Sequence, residues 1–199
     1  MDGGWSEEQE AWRKAVQKFV RRECPPEYAR ACDAEARPPM AAFRALAKEG
    51  WLGVSIPEAS GGAGGGFVDL AILLEELGRG CLDLALWAFR IITYGGHAIL
   101  KFGTAEQQAR FVPPAARGDL SGAFALTEPD SGSDAAAVRT VATRDGDGFL
   151  LRGQKMFTSG MDLSDVALVV TRTNPEVPRH RGISCFLVDK GLPGFALGK

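Results

Sequence analysis

A chain of 199 residues, 45% hydrophobic and 24% charged, has ordinary globular composition and room for one large or two small domains. Its formal net charge of −2 argues against a nucleic-acid partner, whose phosphates call for a basic surface. The most apolar segment, residues 82–100, contains Asp83, Arg90 and His97, which argues for a buried helix and against a membrane span.

The first residues, Met1-Asp2-Gly3-Gly4, lack the basic start and apolar core of a signal peptide. Ser6 is a good N-cap with Gln9 three positions on, and Trp12, Ala15, Val16, Phe19 and Val20 follow at helical spacing. Pro25-Pro26 ends this helix. A second helix is expected from near Pro39, carrying Phe43, Leu46 and Ala47 and stopping at Gly50. Residues 51–57 read as a short extended piece. Residues 60–66, Ser-Gly-Gly-Ala-Gly-Gly-Gly, lack the full G-x-G-x-x-G because Phe67 stands where the last glycine belongs, so a flexible loop is expected here and not a dinucleotide site. Residues 68–77 predict a helix with Leu70, Leu73, Leu74 and Leu77 inward. Residues 83–101 predict another, with Gly95-Gly96 as a break or a point of close packing. Thr104 and Gln107 form a second capping box for a helix through Phe111, and Gly118-Asp119 closes the helical part.

Strand patterning takes over from there. Residues 121–126, 138–143, 149–155, 166–173 and 183–188 read as strands, and Asp145-Gly146-Asp147-Gly148 as a hairpin turn. The last strand is apolar on both faces, which predicts a central or sandwiched position. The expected fold class is therefore α+β: an all-α helical domain over residues 1–120, then a β-barrel-like domain over residues 121–199. With open strand edges and a frayed end, the second domain reads as truncated. The four cysteines, Cys24, Cys32, Cys81 and Cys185, form no C-x-x-C pair and have no histidine at zinc-finger spacing. They read as reduced thiols of a cytoplasmic protein, with no metal site.

Residues 124–134 concentrate the chemistry. The run Phe-Ala-Leu-Thr-Glu-Pro-Asp-Ser-Gly-Ser-Asp carries an apolar strand into a dense polar turn. Pro129 pushes Glu128 toward extended backbone, and Gly132 permits a tight turn. Backbone N–H groups, hydroxyls and carboxylates meet at one strand end. That suits a ligand rich in acceptors, such as a flavin ring or a phosphate; a capped loop that binds nothing fits the same residue types equally well.

The pattern Thr127-Glu128-Pro129-x-x-Gly132-Ser133-Asp134 resembles a signature of the acyl-CoA dehydrogenases. Gly50-Trp51-Leu52-Gly53 with Ile56-Pro57-Glu58, Phe102-Gly103-Thr104-Ala105-Glu106-Gln107, Gly153-Gln154-Lys155-Met156-Phe157-Thr158-Ser159-Gly160, Arg181-Gly182-Ile183-Ser184 and Pro193-Gly194-Phe195 are similar to that family's other segments, in the right order over most of the chain. The resemblance implies an FAD-dependent oxidoreductase of fatty-acid metabolism. Such an enzyme removes a proton and a hydride from an acyl-CoA and hands electrons to an electron-transfer protein, as a homo- or hetero-oligomer. It places Phe124, Ala125, Leu126 and Thr127 along the flavin ring, with Leu126 and Thr127 at its polar edge. Ser133 would contact the CoA part of the substrate. Phe157 stands where many members have Trp against the flavin face, and Thr158 and Ser159 follow, Ser159 replacing a Thr that meets the flavin. The family's catalytic base is a Glu of a C-terminal helical domain, so no catalytic residue is assigned in this chain.

Other features carry less. His97, on an apolar helix, reads as a packed residue. Arg179-His180-Arg181 reads as a solvated loop, with contact to CoA phosphates as the lesser reading. Glu128 reads as structural, and Ser131 is expected to cap the turn. No G-x-S-x-G supports a hydrolase serine. The alternatives to the dehydrogenase are a non-catalytic or truncated subunit needing a partner chain, or a flavin oxidase or monooxygenase on the same fold.

Overall fold

The computed structural model describes residues 4–198. Helix α1, Glu7–Glu23, starts where the sequence places a cap: Gln9 N–H donates to Ser6 Oγ at 3.2 Å, and Ser6 N–H donates to Gln9 Oε1 at 3.0 Å. Pro25-Pro26 ends it but also begins α2, Pro26–Ala34, which the sequence reading missed. Proline suits the first turn of a helix because its missing N–H would have no partner there. Helix α3, Met40–Lys48, buries Ala42, Phe43 and Leu46.

Residues 51–57 are not extended. Gly50 turns left-handed at φ 76°, and a short 3-10 turn, Trp51–Gly53, folds the chain back so that Leu52, Val54 and Ile56 are buried. Nor is the glycine-rich loop loosely held. The N–H groups of Ala63, Gly64 and Gly65 donate to the carbonyls of Gly53, Ile56 and Val54 at 2.8–2.9 Å. A Cβ on Gly62 would lie 2.1 Å from the Ile56 carbonyl oxygen. The glycines are there for close backbone approach.

Helix α4, Phe67–Gly80, buries Leu70, Leu73 and Leu77, with Leu74 half-buried. Helix α5, Leu82–Arg90, passes into a π-helical stretch, Ile91–His97, and then α6, Ala98–Phe102. The wide turns fall at Gly95-Gly96, the expected break or close-packing point: both glycines are buried, and a Cβ on Gly96 would meet Ile56 Cδ1 at 2.6 Å. Helix α7, Ala105–Arg117, carries the expected Thr104 capping box but runs past Phe111 through Pro113 and Pro114. Burial of Phe111, Val112, Ala115 and Ala116 outweighs the proline penalty.

The contacts divide the chain into two compact units, Met1–Leu120 and Ser121–Lys199. In the second, β1 (Gly122–Ala125), β2 (Val141–Asp145), β3 (Gly148–Arg152), β4 (Val166–Arg172) and β5 (Ile183–Asp189) form one sheet. β4 lies at its centre, parallel to β1 from Gly122↔Val166 to Ala125↔Val169 and antiparallel to β5 along its whole length. β2 joins β4 through Val141↔Arg172 and turns back into β3 at Asp145↔Gly148, the expected hairpin. Among the described residues the sheet is not closed, so it is not a barrel. β5, expected to be central or sandwiched, is not central: among the described residues it pairs with β4 alone. Both strands are apolar on two faces, and hydrophobicity by itself does not say which takes the middle. Small side chains, Ala123, Ala125 and Ala167, with Val169 and Met161, make this unit's core.

Candidate functional site

The residues after β1 are fixed by a buried carboxylate. Glu128 Oε2 accepts from the Arg139 N–H at 2.6 Å, and Oε1 accepts from the Thr140 N–H at 2.9 Å and from Lys155 Nζ at 2.7 Å. Lys155 Nζ also donates to the Leu126 carbonyl at 3.0 Å. The pair is deeply placed, with side chains 11% (Lys155) and 5% (Glu128) exposed. Burial works against the Glu128 charge, but the Lys155 ammonium and the donors at Thr140 and Arg139 outweigh it and hold the carboxyl at about 2. One carboxylate thus joins the turn after β1, the approach to β2 and the segment after β3. Glu128, read as structural from the sequence, spends its carboxylate on these contacts within the unit.

The turn itself is closed by backbone. Glu128 N–H donates to Ser131 O at 2.8 Å, and Ser131 N–H returns to Glu128 O at 3.3 Å. The Ser131 side chain does not cap it: that hydroxyl is buried without a partner among the described residues. Asp130 instead pairs with Arg139 at 2.8 Å on the surface.

Two of the sequence-derived segments come together. Met156 N–H donates to the Thr127 carbonyl at 2.8 Å, which sets Leu126-Thr127 beside Met156-Phe157. Phe124 and Ala125 lie in β1 opposite Leu168 and Val169. Phe157 is 83% exposed and holds a left-handed φ of 55°. An exposed aromatic in a sparsely populated backbone region is not accounted for by packing, which makes Phe157 a candidate contact residue. Thr158 O accepts from Met161 N–H at 3.2 Å, and Ser159 is exposed in the same turn before Gly160. Ser133 is exposed on the acidic turn.

Two side chains that shape this region escaped the sequence reading. Lys155 was visible only as part of a motif. Arg172 spans three carbonyls, those of Ala136 (2.6 Å), Arg179 (3.0 Å) and Val138 (3.3 Å). With Arg139, Asp130 and Arg179 it lines a cleft of about 310 Å³. An arginine at a strand end and another in a loop give no sequence sign that they meet. In the helical unit, His97 is half-buried with Nε2 2.8 Å from Ser55 Oγ and its ring 4.9 Å from Phe67, and burial lowers its pKa.

A helical unit followed by an open sheet, with a proline-glycine turn pinned to the first strand by a buried lysine, describes a recognisable protein class. The sequence matches the model of the acyl-CoA dehydrogenase N-terminal domain over residues 6–119 and that of the acyl-CoA dehydrogenase middle domain over residues 123–199. The chain belongs to the acyl-CoA dehydrogenase family. It is 37% identical to an acyl-CoA dehydrogenase of Bacillus subtilis over 194 residues, 98% of this chain and 51% of the relative. Its fold matches glutaryl-coenzyme A dehydrogenase in complex with glutaryl-CoA with a TM-score of 0.91 at 31% identity, over 98% of this chain and 50% of that one. It matches the FAD complex of PigA with a TM-score of 0.88 at 26% identity, over 98% and 51%. The chain spans about half the length of the relatives it matches. Among the described residues no helix is long and apolar enough to cross a membrane.

Proposed function

We propose that this chain carries the flavin-contacting part of an acyl-CoA dehydrogenase, with FAD as cofactor and an acyl-CoA thioester as substrate. The observation that carries the reading is the junction of Thr127 with Met156. It puts a strand end rich in donors beside an aromatic that folding leaves in solvent. These residues fit an isoalloxazine ring: Phe157 offers an apolar face, while Phe124, Ala125, Leu126 and Thr127, with Thr158 and Ser159, offer a wall and polar groups to its edge. Bound FAD would supply hydride acceptance from the β-carbon of the acyl chain. Ser133 and Arg179, whose backbone Arg172 holds beside the cleft, suit the oxygens and phosphates of the CoA moiety. An electron-transfer protein as acceptor, an oligomeric assembly and a cytoplasmic setting complete the reading.

Glu128 is not the base that takes the α-proton. A carboxylate held at about 2 by three hydrogen bonds is too weakly basic to remove a very weakly acidic proton. Titrating the chain with FAD tests the reading: the flavin spectrum is expected to change on binding, and Phe157→Ala is expected to weaken it. Equal binding by the Phe157→Ala variant contradicts it.

A further inference from the structure

Lys155 does more than neutralise a buried acid. Its ammonium holds the Leu126 carbonyl at 3.0 Å while it pairs with Glu128 at 2.7 Å. A trans peptide is planar, so its C=O and N–H point opposite ways. Fixing the Leu126 carbonyl toward Lys155 therefore aims the Thr127 N–H the other way. That N–H takes no hydrogen-bond partner among the described residues. The next peptide is fixed as well, because Thr127 O is held by Met156 N–H and Glu128 N–H by Ser131 O. The first of these peptide groups is thus held by its carbonyl and the second at both ends, and the donor left over belongs to Thr127.

We propose that Lys155 and Glu128 are positioning residues of the flavin site, the ammonium–carboxylate pair aiming the Thr127 N–H at the polar edge of the ring. This rests on the flavin reading above. A neutral side chain does not replace the lysine, because it brings no positive charge to the buried carboxylate. The pair is mostly buried, so screening by salt weakens it less than it would a surface pair. Because the carboxylate is held at about 2, the lock persists over the whole physiological pH range.

The test compares the wild-type chain with Lys155→Met, Lys155→Gln and Lys155→Arg, each checked for folding by circular dichroism. The three readouts are the dissociation constant for FAD, the midpoint potential of the bound flavin, and hydrogen exchange at the Met156 amide without FAD. Lys155→Met is expected to weaken FAD binding ~10-fold, the scale of one charge-assisted hydrogen bond. It is also expected to make the potential more negative, because the donor no longer faces the electron-rich ring. Lys155→Arg should recover much of both effects by keeping the charge; if Lys155→Met fails to fold, Lys155→Gln supplies the same comparison. Wild-type affinity and potential in a folded Met or Gln variant, with faster exchange at Met156, would show a lysine that serves stability alone and overturn the proposal. Absence of FAD binding by the wild-type chain would instead remove the flavin reading itself, and the proposal with it.

Discussion

Replacing Glu128 with Gln keeps the shape of the side chain and removes its charge. The buried Lys155 ammonium then has no counter-ion, and one of the two N–H groups at Arg139 and Thr140 faces an amide NH2 instead of an oxygen. A carboxyl held at about 2 against an ordinary 4.5 corresponds to roughly 3 kcal/mol of folding stability at neutral pH. That agrees with the roughly 3–5 kcal/mol typical of removing one partner from a buried ion pair. The sign follows from the depressed value: the contribution is fully present above the unfolded-state pKa and is lost as pH falls through the folded one. Tryptophan fluorescence does not see this, because Trp5, Trp12, Trp51 and Trp87 all precede residue 121. Amide hydrogen exchange at Arg139 and Thr140, both donors to Glu128, reads it directly. Glu128→Gln should lower their protection ~100-fold at pH 7, since about 1.4 kcal/mol is tenfold. The wild type should converge on the variant between about pH 5 and pH 2. Equal protection in the two proteins at pH 7, or a flat wild-type profile down to pH 2, would refute the reasoning.

Thr127→Ala and Ser159→Ala should each weaken FAD binding by roughly 1.5–3 kcal/mol, the worth of a hydrogen bond to a charged or charge-developing group. Ser131→Ala should leave binding unchanged, because its buried hydroxyl has no partner to lose; flavin titration of the three variants separates them. Gly62→Ala should destabilise the helical unit by about 3 kcal/mol or more, because its Cβ would sit 2.1 Å from a backbone oxygen. Gly132→Ala, with open space around it, should be near neutral. Urea denaturation followed by tryptophan fluorescence measures the first, and amide exchange of residues 121–198 the second.

Much of the fold was legible because local chemistry and tertiary structure agree. Ser6 with Gln9 and Thr104 with Gln107 cap their helices as read, and Gly146-Asp147 turns the β2–β3 hairpin. Proline misled twice, each time because it plays a second part. Pro26 opens a helix while closing another, and Pro113-Pro114 ride inside α7 on the burial of their neighbours. The glycine-rich loop read as flexible because composition does not show that Ile56 O and Val54 O receive its N–H groups. At the candidate site, the segments around Thr127 and Phe157 could be named from the sequence, but the junction between them could not. Lys155 left a faint signal: strand alternation puts it on the face of half-buried Leu151, and an inward lysine requires a buried acid. Glu128, 27 residues earlier, becomes that acid only through the fold.

The central claim is that the strand end at Thr127 and the turn at Phe157 form one flavin-binding face. Amide and aromatic chemical shifts of the labelled chain, followed during titration with FAD, test it most directly. Leu126, Thr127, Phe157, Thr158 and Ser159 are expected to shift together with a single dissociation constant, while the Asp145–Gly148 hairpin does not move. Saturable FAD binding that leaves Thr127 and Phe157 unshifted would contradict it.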